Sequence, residues 1–279
     1  LLECYELRRR TTVSRNLPTS IAPVVEQLEL DGDAVVTVDR LSNVLHAVGN
    51  MDDPRTLGYE LQRAGWLGSL RTRNAWEFLP AARGGAYGSG DRFIEFRAQH
   101  AVDLAWPGVL AMESAASLLG LAQRIPEREV VALPPGKTVP KAFADEWRAV
   151  TLELPAEGLT VVDRLPAWSL EGLIVGIATR PSSYRDMPGL GQWLPESLDS
   201  LDLEKLGVLL SDASSSVRQR AAYLVGIGGG AKTRDAVIGR VPPTEVAWFG
   251  PRRAGGVFDA ATQVNDTALH EYLTIGVGA

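Results

Sequence analysis

Residues 53–80 read DPRTLGYELQRAGWLGSLRTRNAWEFLP. Asp53 is a helix-capping residue, and Pro54 suits the first helical position, where its missing N–H costs no intrahelical bond. Leu57, Leu61 and Ala64 then recur at helical spacing, and Gly65 stands where a left-handed residue ends a helix. Two β-prone runs follow, Trp66–Leu70 and Ala75–Leu79, joined by Arg71, Thr72, Arg73 and Asn74 and closed by Pro80. The stretch predicts a helix followed by a hairpin with a basic tip.

Upstream, Thr19 or Ser20 can cap a first helix with Ile21, Val24, Val25 and Leu28 on one face and Pro23 in its first turn. Asp31-Gly32-Asp33 is a turn, and Ala34–Val38 is β-prone. Thr37 can cap a second helix carrying Leu41, Val44, Leu45 and Val48, stopped by Gly49-Asn50. The order over residues 19–80 is helix, short strand, helix, tight turn, helix, hairpin, which is the order of a winged helix-turn-helix.

With Leu57, Leu61 and Ala64 turned inward, Arg55, Tyr59, Gln62 and Arg63 fall on the opposite face of the third helix. In helix-turn-helix proteins the second helix of the motif enters the major groove, where Arg pairs with guanine and Gln with adenine. The expected DNA-binding set is Arg55, Thr56, Tyr59, Gln62, Arg63 and the hairpin-tip residues Arg71, Arg73 and Asn74. The bland alternative is a solvated amphipathic helix. Trp66, Trp76 and Phe78 are read as packing onto the helices rather than stacking on bases. Glu60 would repel phosphate unless it is splayed away or accepts from a cytosine amino group.

The 279 residues carry a formal charge of −6, which argues against coating nucleic acid by bulk attraction. Charge is segregated, however: residues 55–92 hold six arginines against three acids. Hydrophobic residues are 45% and charged residues 22%, as in an ordinary globular protein. The single cysteine, Cys4, cannot form an intrachain disulfide, so a reducing cytoplasm is the expected location. One Cys and three His leave no zinc-finger or cluster ligand set, so no metal is expected. No signal peptide or membrane span is expected: Glu3, Glu6 and Arg8–Arg10 interrupt the start, and Pro107, Glu113, Ser114 and Ser117 interrupt the most apolar stretch, Ala105–Ala122. The expected domains are a flexible basic arm over 1–18, a winged helix over 19–95, and an α+β domain over 96–279.

In the second half, helices are expected over Met112–Leu121, Leu170–Thr179, Leu198–Leu210, Val217–Ile227 and Arg234–Gly239. Strands are expected over Glu129–Leu133, Val150–Leu154 and Thr160–Asp163, with extended runs at Thr244–Phe249 and Tyr272–Val277. Strands and helices mix without βαβ alternation, so the fold class is α+β. No catalytic constellation emerges and no cofactor is expected. The run ending Pro134-Pro135-Gly136-Lys137-Thr138 has Val131 where a phosphate-binding loop needs glycine, and its prolines offer no N–H groups. Gly226–Thr233 has Ala231 in place of the final glycine, and reads as a helix end and flexible loop. His46, His100 and His270 are scattered.

Ala111-Met112-Glu113-Ser114-Ala115-Ala116-Ser117-Leu118-Leu119-Gly120-Leu121, followed by Arg124-Ile125-Pro126, resembles the S-A-x-x-x-x-G-L helix and following strand of AbiEi-type antitoxins. Glu171–Pro181 and Val217–Val225 resemble two later segments of that family, in the same order, so the resemblance runs from about Thr19 to the end. It implies a winged helix that binds inverted repeats in its own promoter and represses the operon. It also implies a second domain that neutralises a nucleotidyltransferase-type toxin, with direct contact between the two left open. Two rival readings remain. One is an enzyme with its site in residues 98–279, gripping a nucleotide through Arg124, Arg128, Lys137 and Lys141, with the winged helix as an interaction module. The other is a partner-docking protein that does not bind DNA.

Overall fold

The computed structural model describes residues 18–81, 88–239 and 243–273, so the basic arm and the last six residues lie outside the described set. The chain divides into two compact units, Leu1–Trp106 and Pro107–Ala279.

The first unit runs α1 (Ala22–Asp31), β1 (Val35–Thr37), α2 (Val38–Ala47), α3 (Pro54–Arg63), β2 (Leu67–Ser69), β3 (Ala75–Phe78) and α4 (Ile94–Val102). The strands form an antiparallel sheet in the order β1-β3-β2, pairing Val36 with Trp76 and Leu67 with Phe78. One apolar core fills the space between helices and sheet: Val24 and Leu28 from α1, Val36 from β1, Leu41 and Leu45 from α2, Leu57 and Leu61 from α3, and Trp76 and Phe78 from β3. This is the winged helix-turn-helix order, with α2 and α3 as the motif.

Local signals set most of these boundaries. The Thr37 hydroxyl accepts from the Arg40 N–H at 3.1 Å and caps α2. Gly65, at φ +79°, turns the chain from α3 into β2. The start of α1 differs from expectation. Neither Thr19 nor Ser20 caps it; Ile21 occupies the N-cap without a side-chain bond, and the Pro18 carbonyl accepts from Ile21 N–H at 3.0 Å and Ala22 N–H at 3.2 Å. Pro23 in the first turn removes one of the N–H groups that a capping side chain serves. Helix α4 was not anticipated either. It packs against β1 and β3, burying Phe96 and Ala98.

The second unit holds a five-stranded mixed sheet ordered β6-β5-β4-β8-β7, built from β4 (Val109–Leu110), β5 (Glu129–Leu133), β6 (Trp147–Thr151), β7 (Leu159–Val162) and β8 (Leu165–Trp168). Helices α5 (Met112–Leu118) and α6 (Leu170–Thr179) pack beside it. From Glu171 to Ala178 every residue of α6 is buried, as an almost uniformly apolar helix demands. Close approach needs glycine here: a Cβ at Gly172 would lie 2.1 Å from the Gly158 carbonyl oxygen. Helices α7 (Met187–Ser197), α8 (Leu203–Leu209) and α9 (Ser215–Ile238) follow. A small sheet β10-β11-β9 comes next, from β9 (Ala247–Phe249), β10 (Val257–Asp259) and β11 (Val264–Asp266), then α10 (His270–Leu273).

Several expectations shift. The strand expected at Val150–Leu154 begins three residues earlier, because Trp147 pairs with Glu129 in register and stacks on Phe143 at 4.2 Å. Ala105–Ala122 contains β4 before its helix. The helix expected from Leu198 begins only at Leu203, where the Asp202 carboxylate accepts from Glu204 and Lys205 N–H groups. Gly226–Thr233 is helix rather than loop apart from a break at Gly230 (φ +73°, ψ −174°), and the helix expected over Arg234–Gly239 is the end of α9, which runs to Ile238. Tyr272 and Leu273 are helical rather than extended. No described helix is long and apolar enough to cross a membrane.

Candidate nucleic-acid interface

The N-terminus of α3 is built by Asp53. Its carboxylate accepts from the Thr56 N–H and from the Thr56 hydroxyl, each at 2.8 Å. Those bonds hold the Asp53 carboxyl below the usual carboxylate range. Burial of Leu57, Gly58 and Leu61 then decides which face is left outside. Arg55, Thr56, Tyr59, Glu60 and Arg63 are exposed along α3. Tyr59 leans edge-on against Trp76, with ring centroids 5.8 Å apart.

The hairpin tip lies against the start of this helix. Arg55 Nη2 donates to Asn74 Oδ1 at 3.2 Å, and the Asn74 carbonyl accepts from Val38 N–H at 3.1 Å. Asn74 adopts φ +62°, a left-handed conformation that Asn tolerates better than most residues. Arg71 and Arg73 are exposed while Thr72 between them is buried. The structure thus brings Arg55 and Asn74 together, sets Arg73 at the same tip, and presents Tyr59 and Arg63 further along α3.

Two residues behave differently from a simple reading of the sequence. Gln62 is half-buried, and its Oε1 accepts from the Trp76 indole N–H at 3.0 Å. An indole can only donate, so the facing Gln62 atom is the oxygen. A contact to adenine through both amide atoms has to share that oxygen with Trp76 or give the bond up. Thr56 spends its hydroxyl proton on Asp53, which makes it first a part of the cap.

Glu95, marked by no local pattern, anchors the tip. Its carboxylate accepts from Arg71 N–H at 2.8 Å, Thr72 N–H at 3.3 Å and the Thr72 hydroxyl at 3.0 Å. The wing is therefore held to α4 by three bonds to one carboxylate from 23–24 residues away. Nothing local in the sequence signals this pairing.

In the second unit, Arg124 and Arg128 line one cleft together with Arg148 and Arg185, whereas Lys137 and Lys141 are not among its lining residues. Among the described residues no group of three or more His, Cys, Asp or Glu side chains is placed to hold a metal ion.

A winged helix-turn-helix followed by a second, mixed α+β unit is the class of protein this fold defines, and the comparisons narrow it. Residues 108–227 match the model of the AbiEi antitoxin C-terminal domain. Over 95% of this chain and 97% of the other, the fold is similar to the crystal structure of the RV2827C protein from Mycobacterium tuberculosis, at 30% identity and a TM-score of 0.74. No curated protein matches. Through that domain the chain belongs to the AbiEi antitoxin family, which supports an antitoxin role in a toxin–antitoxin pair.

Proposed function

We propose that this antitoxin binds duplex DNA at its own promoter and represses its operon, while the second unit neutralises a nucleotidyltransferase-type toxin without catalysing a reaction itself. The observation that carries the DNA reading is the exposed row Arg55, Tyr59 and Arg63 on α3, joined through Asn74 to a hairpin tip bearing Arg71 and Arg73. In this arrangement α3 enters the major groove and the tip follows the adjacent backbone. Arg55 reads a base edge and Arg71 and Arg73 meet phosphates. Glu95 matters because it fixes the tip without contacting DNA. Six arginines against three acids over residues 55–92 give few phosphate contacts per copy, so tight binding takes two copies on neighbouring half-sites.

Gel-shift titrations on the promoter fragment and on a scrambled duplex test this. Arg55→Ala is expected to weaken cognate binding by about 1–3 kcal/mol and leave scrambled-duplex binding nearly unchanged. The double substitution Arg71→Ala, Arg73→Ala is expected to weaken both and to flatten the salt dependence. Equal losses on the two duplexes for Arg55→Ala contradict base reading. Co-expression of the chain with a nucleotidyltransferase-type toxin, with growth as the readout, tests the second half of the proposal.

A further inference from the structure

Beside α5 lies a cleft of about 390 Å³ whose lining includes Arg124, Arg128, Arg148 and Arg185. Three carboxylates share the lining, so the site holds one net positive charge. Two of the three carboxylates are already engaged, and the third, Glu127, is exposed. Glu113, 4% exposed, accepts from Arg148 Nη2 at 2.7 Å and also from the Arg185 backbone N–H. Asp186 caps α7 through Gly189 N–H at 3.3 Å and stands 3.8 Å from Arg124.

The four arginines differ in how far their donors are used. Arg148 is fixed on both sides, by Glu113 and by the Ser183 carbonyl at 2.6 Å. Arg128 donates through Nη2 to the Trp147 carbonyl at 2.8 Å and to the Ala144 carbonyl, but its buried Nε has no acceptor. Arg185 and Arg124 are exposed at the rim. Burial pushes the Arg148 guanidinium below its ordinary value; Glu113 opposes that, and the charges of Arg185 and Arg128 add to it.

We propose that this cleft binds the phosphate group of a small phosphorylated ligand, with Arg124, Arg128 and Arg185 supplying guanidinium donors around the fixed Arg148–Glu113 pair. Guanidinium forks match phosphate oxygens two at a time, and a converging set suits a multiply charged oxyanion better than a single carboxylate. A concave site of this volume is of the size that small ligands occupy. The exposed Ile125 side chain at its edge offers an apolar surface for an organic substituent on the phosphate. The proposal is independent of how the winged helix meets DNA.

Calorimetric titration of the full chain with inorganic phosphate, pyrophosphate and adenosine triphosphate, at constant ionic strength, tests it. Saturable binding is expected for pyrophosphate and the nucleotide, weakened roughly tenfold or more by Arg124→Ala with Arg185→Ala. Equal affinity for the two identifies the phosphate chain alone as the ligand; tighter nucleotide binding adds contacts to its organic part. Both substituted side chains are exposed, so the Tm without ligand should stay at the wild-type value. If it falls, Arg124→Glu alone, at a side chain 78% exposed, replaces the double variant. Absence of saturable binding, equal binding by the variant, or binding by duplex oligonucleotide alone overturns the proposal.

Discussion

Gly58 shows how a single residue links packing to the proposed reading surface. It lies inside α3, where alanine would ordinarily gain about 1 kcal/mol of helix propensity. A Cβ there, however, meets Trp76 Cη2 at 2.6 Å and Cζ2 at 2.9 Å. Overpacking against a rigid buried ring costs about 1–3 kcal/mol, which offsets or exceeds the propensity gain. Gly58→Ala is therefore expected to destabilise the protein by up to about 2 kcal/mol in urea unfolding, the packing cost less the propensity gain. The same shift disturbs the Trp76 indole that Gln62 and Tyr59 rest on, so cognate DNA binding should weaken as well. An increase in stability would show that the ring moves freely. At Asp53 the residue-scale effect is electrostatic. Its depressed pKa means that the cap stabilises fully above the ordinary carboxylate range and is lost as pH falls through the depressed folded value.

Elements of the first unit owe their limits to a few local chemical signals. Thr37 ends β1 and caps α2 with one side chain, and it is 8% exposed. Thr37→Ala is expected to cost about 1 kcal/mol, with Thr37→Ser largely retaining the cap. Comparison of urea midpoints for the two variants checks this; equal losses would assign the effect to the buried methyl group. Such signals were legible in the sequence: Thr37 before α2, Asp53-Pro54 before α3, Gly65 after it, and the β-branched run of β5. The uniformly apolar α6 was equally plain. The start of α1 departs from the local pattern because a carbonyl, not a hydroxyl, serves its first N–H groups. The Gly226–Thr233 run looked like a loop because glycines weaken helices, yet only Gly230 leaves the helical region.

At the scale of the whole chain, each unit has a core of its own. The first buries leucines and valines from α1, α2 and α3 against Val36, Trp76 and Phe78. A fragment spanning residues 18–106 is expected to unfold cooperatively in urea and to keep its preference for promoter over scrambled duplex. A chain without a cooperative transition would show that this core is insufficient. By itself the sequence determined the order of elements over residues 19–80, the caps of α2 and α3, the buried face of α3, and the resemblance to the AbiEi family. These depend on periodicity and on bonds between near neighbours, which can be read residue by residue. Only the tertiary structure decided that Gln62 faces Trp76, that Glu95 holds the wing, and that Arg124, Arg128, Arg148 and Arg185 line one cleft. Those contacts join residues far apart in the chain, and their partners are chosen by how whole elements pack, for which no local pattern codes.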